Sequence, residues 1–170
     1  MSERRHPHVV NVDEVPETTR EKGERFGFRR RQLGAAAGGR QIGCSWMELP
    51  PGKRAWPAHW HGANEEAIYV LSGRGRARIG DAEVELRPGD WVALPTGPGC
   101  AHQTINDGDE PLRYLCVSTM IEPEVGVYTD SGKVGVFLGV APGGDPSART
   151  LTAYARLADG VDYWDGEDTD

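Results

Sequence analysis

The tripeptide His59-Trp60-His61 sets two imidazoles one residue apart. On an extended strand successive side chains alternate faces, so both rings project to the same side, about 7 Å apart along the chain. Farther on, Glu66 shares its parity with Ile68 and Val70, and His102 shares its parity with Thr104 and Asn106. If these three segments line one interior, His59, His61, Glu66 and His102 converge on a single point. Neutral imidazole together with a carboxylate suits divalent iron, manganese, nickel, cobalt or zinc. Four protein ligands on an octahedral ion leave two positions for substrate, water or dioxygen. Three neutral rings and one carboxylate around a divalent ion carry a net charge of about +1, so an anion with paired oxygen donors is attracted.

Other residues compete for roles around this set. Glu65 sits beside Glu66, but only Glu66 keeps the parity of the apolar residues that follow. His6-Pro7-His8 repeats the histidine spacing in a stretch that reads as a tail. Lys53 and Arg54 lie in the loop entering the histidine strand and are candidate contacts for a substrate phosphate or carboxylate, as is Lys133 in Asp130-Ser131-Gly132-Lys133. Trp56, just ahead of His59, is the candidate for stacking on substrate, whereas Trp46, Trp60 and Trp91 read as packing. No catalytic residue is assigned.

The elements that must hold these residues are short strands between turns. Ile42, Cys44 and Trp46 alternate with polar or small residues until Pro50-Pro51-Gly52 breaks the run. Around Gly80-Asp81, a two-residue hairpin turn pairs residue 79 with 82 and 77 with 84. Ile79, Ala82, Ala77 and Val84 then share one face. The other face sets Arg78 across from Glu83 and Arg76 across from Glu85, pairs worth roughly 0.2–1 kcal/mol each. The arginine triplet is therefore a solvated sheet face, not a phosphate or RNA patch. Trp91–Pro95, His102–Asn106, Leu112–Thr119 and Val134–Val140 are further predicted strands. Turns at such regular intervals predict an all-β sandwich or barrel. Pro16 to Glu21 predicts the start of a short helix, and Gly34 to Gly39 a flexible link.

Two motifs in these segments resemble those of the cupin family. Gly52, His59, His61, Glu66 and Gly73 follow the first motif, with one extra residue between Gly52 and His59. Gly89, Pro95, Gly97, His102 and Asn106 follow the second, with two extra residues between Gly97 and His102. The resemblance covers roughly residues 41–120. It implies a cupin-type double-stranded β-helix, a jelly-roll-like small barrel of two packed antiparallel sheets, over residues 41–141. An N-terminal extension, 1–40, and a C-terminal segment with an acidic tail, 142–170, would flank it. It also implies a divalent metal on His59, His61, Glu66 and His102, and a homodimer formed through sheet edges. Among cupins the chain looks most like small single-domain bacterial proteins described as sugar-phosphate isomerases. The expected function is thus a metalloenzyme, isomerase-like, acting on a small anionic oxygen-rich metabolite such as a sugar phosphate. An Fe(II)-dependent oxygenase and a non-catalytic, metal-dependent small-ligand binder are the alternatives, because the fold hosts many activities. Thiol dioxygenases resemble the chain less, since they typically lack the acidic ligand that Glu66 provides.

Composition narrows the partners. The 170 residues carry a net charge of −7, but Asp159 to Asp170 alone hold six acids and no base. Residues 1–40 hold nine bases and six acids, and the body is close to neutral. No dense basic stripe exists, which argues against nucleic acid as partner. No apolar run approaches a membrane span and the N-terminus has no apolar leader, so a cytoplasmic location is expected. Cys44, Cys100 and Cys116, odd in number and widely spaced, fit a reducing compartment and read as small buried hydrophobes. In the tail, Tyr163 and Trp164 are expected to dock on the body or on a partner chain.

Overall fold

The computed structural model describes residues 6–168, and these form two antiparallel sheets with little helix. The strands are β1 (Glu17–Lys22), β2 (Phe26–Gln32), β3 (Ile42–Leu49), β4 (His59–His61), β5 (Glu66–Ser72), β6 (Gly75–Ile79), β7 (Ala82–Leu86), β8 (Trp91–Leu94), β9 (His102–Ile105), β10 (Leu112–Thr119), β11 (Glu124–Tyr128), β12 (Lys133–Leu138) and β13 (Leu151–Arg156). One sheet runs β1-β2-β3-β10-β5-β8 and the other β13-β12-β11-β4-β9-β6-β7.

Alternation of side chains decides what lies between the sheets. Met47 and Leu49 of β3, Ile68 and Val70 of β5, Leu86, Leu94, Leu112 and Tyr114 point inward and form one buried cluster with Phe28. Each large side chain buried there stabilises the fold by roughly 1.5–3 kcal/mol. These are the two packed antiparallel sheets that the motifs imply; they remain open at their edges and do not close into a barrel, with β1 and β8 bounding one sheet and β13 and β7 the other.

Motif residues outside the ligand set have structural duties. Gly73, at φ +80, brings its α-carbon against the next loop; a β-carbon there would lie 2.3 Å from the Pro111 carbonyl oxygen. Asn106 is fully buried, and its Nδ2 donates to the carbonyls of Leu49 and Glu110, both at 2.8 Å. That side chain ties β9 to β3 and closes the 106–110 turn. The hairpin register is as the sequence predicts, with Ile79 opposite Ala82 and Ala77 opposite Val84. Its ion pairs are different: Arg76 reaches diagonally to Glu83 and also to Asp107, while Arg78 pairs with Asp130 at 2.8 Å.

Two local expectations are corrected. Residues 17–22 form strand β1, not a helix, because they pair in full register with β2 and ladder bonding overrides a weak helical preference. Leu33–Ala36 is a single helical turn packed on β3, not a flexible link. A β-carbon on Gly34 would stand 2.8 Å from the Cys44 amide nitrogen, so glycine is what permits that contact. The three cysteines are free and partly buried.

Candidate metal centre

His59 and His61 point inward from β4, Glu66 from the first residue of β5 and His102 from the first residue of β9. Residue 59 lies directly opposite residue 102 in the ladder, which brings the two motifs together. One ligand atom from each of the four side chains lies within 4.8 Å of the others. Glu65, one residue away, is exposed and takes no part.

Backbone and side-chain contacts set the orientation of each ring. His59 Nδ1 lies 2.8 Å from the Pro57 carbonyl, and His102 Nδ1 lies 2.9 Å from that of Cys100. A carbonyl only accepts, so each Nδ1 carries the hydrogen and each Nε2 is left with a bare lone pair. His61 turns its Nδ1 toward Glu124 Oε2, 3.4 Å away. All three Nε2 atoms therefore face the same point. His59 Nε2 is 3.1 Å from His61 Nε2, and His102 Nε2 is 3.1 Å from Glu66 Oε2. Lone pairs facing each other at that range need a cation between them, a proton or a metal ion. The donor set fits a divalent transition metal.

Without metal, protons do part of this work. Burial and the neighbouring rings of His102 and His61 lower the His59 pKa to about 4, so that ring stays neutral. Burial also opposes charge on His61, but Glu124 and Glu66 outweigh it and raise its pKa to about 9. Burial likewise disfavours the Glu66 carboxylate, yet His102 and His61 hold it well below the usual carboxylate range.

Glu124 was not legible as a site residue. It is fully buried, and its carboxylate accepts from the amides of Gly62, Ala63, Asn64 and Val125 as well as from the Asn64 side chain. Those contacts hold its pKa at about 2 against the cost of burial, with His61 contributing first. All but Val125 lie some sixty residues earlier, so no local spacing announces them.

Tyr128 is the second addition. Its ring stacks on His59 with centroids 5.8 Å apart, and Lys133 Nζ sits 5.3 Å from the Tyr128 centroid. Burial and Tyr154 push its hydroxyl pKa above the ordinary value, so it stays a donor. Trp56 packs on Phe28, centroids 4.4 Å apart, with the Arg20 guanidinium 5.6 Å from its ring. Lys53 donates to the Glu24 carbonyl at 2.8 Å, and Arg54 reaches Gln103 at 3.5 Å. His6 and His8 lie together outside the four-residue cluster, with His8 Nδ1 2.8 Å from the Ala37 carbonyl. Tyr163 and Trp164 are both largely exposed and pack edge-on against each other, not on the body of their own chain. A cavity of about 460 Å³ lies elsewhere, lined by Arg74, Val84, Leu86 and Trp91, and contains none of the four ligands.

The family model of the cupin domain matches residues 45–118, which include all four candidate ligand residues. An uncharacterized protein of Methanocaldococcus jannaschii is 37% identical over 60 residues, 35% of this chain and 46% of that protein; the match thus spans about half of the relative. A solved structure from Silicibacter pomeroyi, named as a sugar phosphate isomerase of the cupin superfamily, aligns with TM-score 0.74 and 25% identity. It covers 89% of this chain and 94% of that one. A structure from Acidithiobacillus ferrooxidans, provisionally named a sugar phosphate isomerase, has TM-score 0.75 at 24% identity. It covers 91% of this chain and 96% of that one, and speaks to the fold alone. Among the described residues, no helix is long and apolar enough to cross a membrane.

Proposed function

We propose that this chain, whose residues 45–118 match the cupin domain, is a metal-dependent isomerase of a small, anionic, oxygen-rich metabolite, a sugar phosphate in the first instance. The observation that carries the reading is the convergence of three pre-oriented Nε2 atoms and the Glu66 carboxylate within 4.8 Å. The Silicibacter pomeroyi neighbour, which aligns along nearly its whole length, supports the isomerase class.

His59, His61, Glu66 and His102 would hold one divalent iron, manganese, nickel, cobalt or zinc ion. When bound, the ion supplies Lewis acidity toward a hydroxyl and an adjacent carbonyl. The chain's own residues do the rest. Carbonyls of Pro57 and Cys100 fix the tautomers of His59 and His102, so no reorganisation is needed when a ligand arrives. Glu124, 3.4 Å from His61 Nδ1, favours a proton on that nitrogen and leaves Nε2 toward the other candidate ligands. Tyr128 stacks on His59, and burial and Tyr154 keep its hydroxyl protonated.

Metal analysis and turnover together test the reading. Reconstituted protein should hold one ion per chain and interconvert an aldose phosphate and its ketose isomer equally well with and without oxygen. Turnover that consumes dioxygen would replace the isomerase with an oxygenase. Tight, metal-dependent binding without any turnover would make the protein a carrier or sensor.

A further inference from the structure

Residues opposite each other in a ladder share a face, so register shows which side chains of the six-stranded sheet look toward the candidate metal centre. Arg30 lies opposite Met47, Met47 opposite Tyr114 and Tyr114 opposite Val70. Met47, Tyr114 and Val70 belong to the buried core, so Arg30 points into the sandwich with them. The next inward row holds Gln32, Ser45, Cys116 and Ile68, and the one after it Gly43, Ser118 and Glu66. The inner face thus turns from apolar to polar where Glu66 stands. Strand β10 has a paired neighbour on either side, yet Cys116 and Ser118 are partly exposed, so solvent reaches them from between the sheets. The Glu66 side chain, 18% exposed, opens on the same space.

Three short steps connect Arg30 to the metal ligands across that space. Arg30 Nε donates to Ser45 Oγ at 2.9 Å, Ser45 lies directly opposite Cys116, and the Cys116 thiol is 3.9 Å from Glu66 Oε1. Burial lowers the pKa of the guanidinium, and Cys116 and Glu66 lead the acidic groups that oppose this. Arg30 Nη2 donates to the Gly143 carbonyl at 3.2 Å, the same oxygen that accepts from the Gln32 side chain. Among the described residues, Nη1 has no hydrogen-bond partner and no carboxylate lies within ion-pairing distance of the guanidinium. Holding the Gly143 segment needs no charge, since the neutral Gln32 already does it. A cation kept in the interior without a counter-charge is costly, and an anionic ligand removes that cost.

We propose that Arg30 is the anion anchor of the ligand compartment, its Nη1 edge receiving the terminal phosphate or carboxylate of a ligand whose hydroxyl-carbonyl end lies at the candidate metal centre. This deepens the proposed function and rests on it for the metal end of the ligand. Nε and Nη2 are fixed by Ser45 and Gly143, so the planar fork is oriented before an anion arrives and keeps donors for its oxygens. The anion-binding role moves from Lys53 and Arg54, which the Glu24 carbonyl and Gln103 engage, to a side chain inside the sandwich.

Calorimetry on the full chain tests it, with ribose 5-phosphate, glucuronate and ribose as probes, each on manganese-loaded and metal-free protein. Wild type should bind at least one of the two anionic sugars about tenfold or more tightly than ribose, and the tighter of the two identifies the anionic group. Arg30→Gln should erase that preference while ribose affinity and manganese stoichiometry stay as in wild type. Arg30→Lys, which keeps the charge and loses the fork, should retain only part of it. Gln32→Ala, which removes the other bond to Gly143 and spares Arg30, should keep it in full. No preference for either anion in wild type, or a preference that survives Arg30→Gln, overturns the proposal. Equal loss in Gln32→Ala also overturns it and makes Arg30 a clamp for the Gly143 segment. If Arg30→Gln fails to fold, Arg30→Lys and Gln32→Ala decide: a loss confined to the first supports the anchor, and any other result overturns it. An Arg30-dependent preference without turnover upholds the anchor and ends the isomerase reading, whereas turnover of a sugar phosphate indifferent to Arg30 does the reverse.

Discussion

Glu124 Oε2 stands 3.4 Å from His61 Nδ1, so a residue outside both sequence motifs is the charged neighbour of a candidate ligand within the first. The carboxylate is in turn held by three backbone amides of the 62–64 loop and by that of Val125, so its position is as rigid as that loop. Metal affinity should depend on this pair nearly as much as on the ligands.

Glu124→Gln should therefore lower metal affinity by roughly 10–100-fold while the ligand residues stay intact. It should also lower the melting temperature, since an amide nitrogen placed against backbone donors leaves them unsatisfied. Competition with a chelator of known affinity reads the first effect. An unchanged affinity would show that the ring of His61 is oriented without Glu124.

His61→Ala should abolish stoichiometric binding. The wild type should hold one divalent ion per chain by elemental analysis, and the variant well below that. Equal content in the two proteins would remove His61 from the ligand set.

Metal and protons compete at His61, and the sign of the pH effect follows. In the metal-free protein its pKa is raised to about 9 from an unfolded value of 6.5. The stabilisation this gives is full below pH 6.5 and is lost as pH rises toward about 9. Metal must displace that proton, so its affinity should climb across the same interval. Thermal melts should show the metal-induced rise in melting temperature growing from pH 6.5 to about 9. Glu124 acts at the other end: its depressed pKa gives stability present above 4.5 and lost as pH falls toward about 2. A metal-induced shift independent of pH would place the neutral form of His61 in the metal-free protein.

Leu112 is fully buried between the sheets. Leu112→Ala should cost about 2–5 kcal/mol in denaturant unfolding, the spread reflecting how far the cavity collapses. A loss under about 1 kcal/mol would mean that the sheets close over the gap.

Every residue of β13 and of the segment through residue 168 is exposed, Tyr163 at 83% and Trp164 at 62%. Strand β1 is exposed along its whole length too. We expect a homodimer in which a second copy covers part of this surface, each buried aromatic removing about 150–250 Å² from water. Truncation after Gly160 should weaken the dimer and lower its melting temperature. Light scattering that finds a monomer at micromolar concentration would end this expectation.

Strand parity and turn chemistry are properties of neighbouring residues, and they set the face each candidate ligand presents, while the grouping with His102 came from the resemblance to the cupin motifs. His59 and His61 share a face because they are two apart, Glu66 is separated from Glu65 by parity, and the 79–82 hairpin register follows from Gly80-Asp81. Tertiary structure alone decided the rest. Residues 17–22 became a strand because β2 offered a ladder. Glu124 joined the site because folding carried it across some sixty residues to the amides after His61. A side chain's neighbours along the chain fix the face it presents, but long-range pairing chooses what it meets there, and the chemistry of a buried group depends on what it meets.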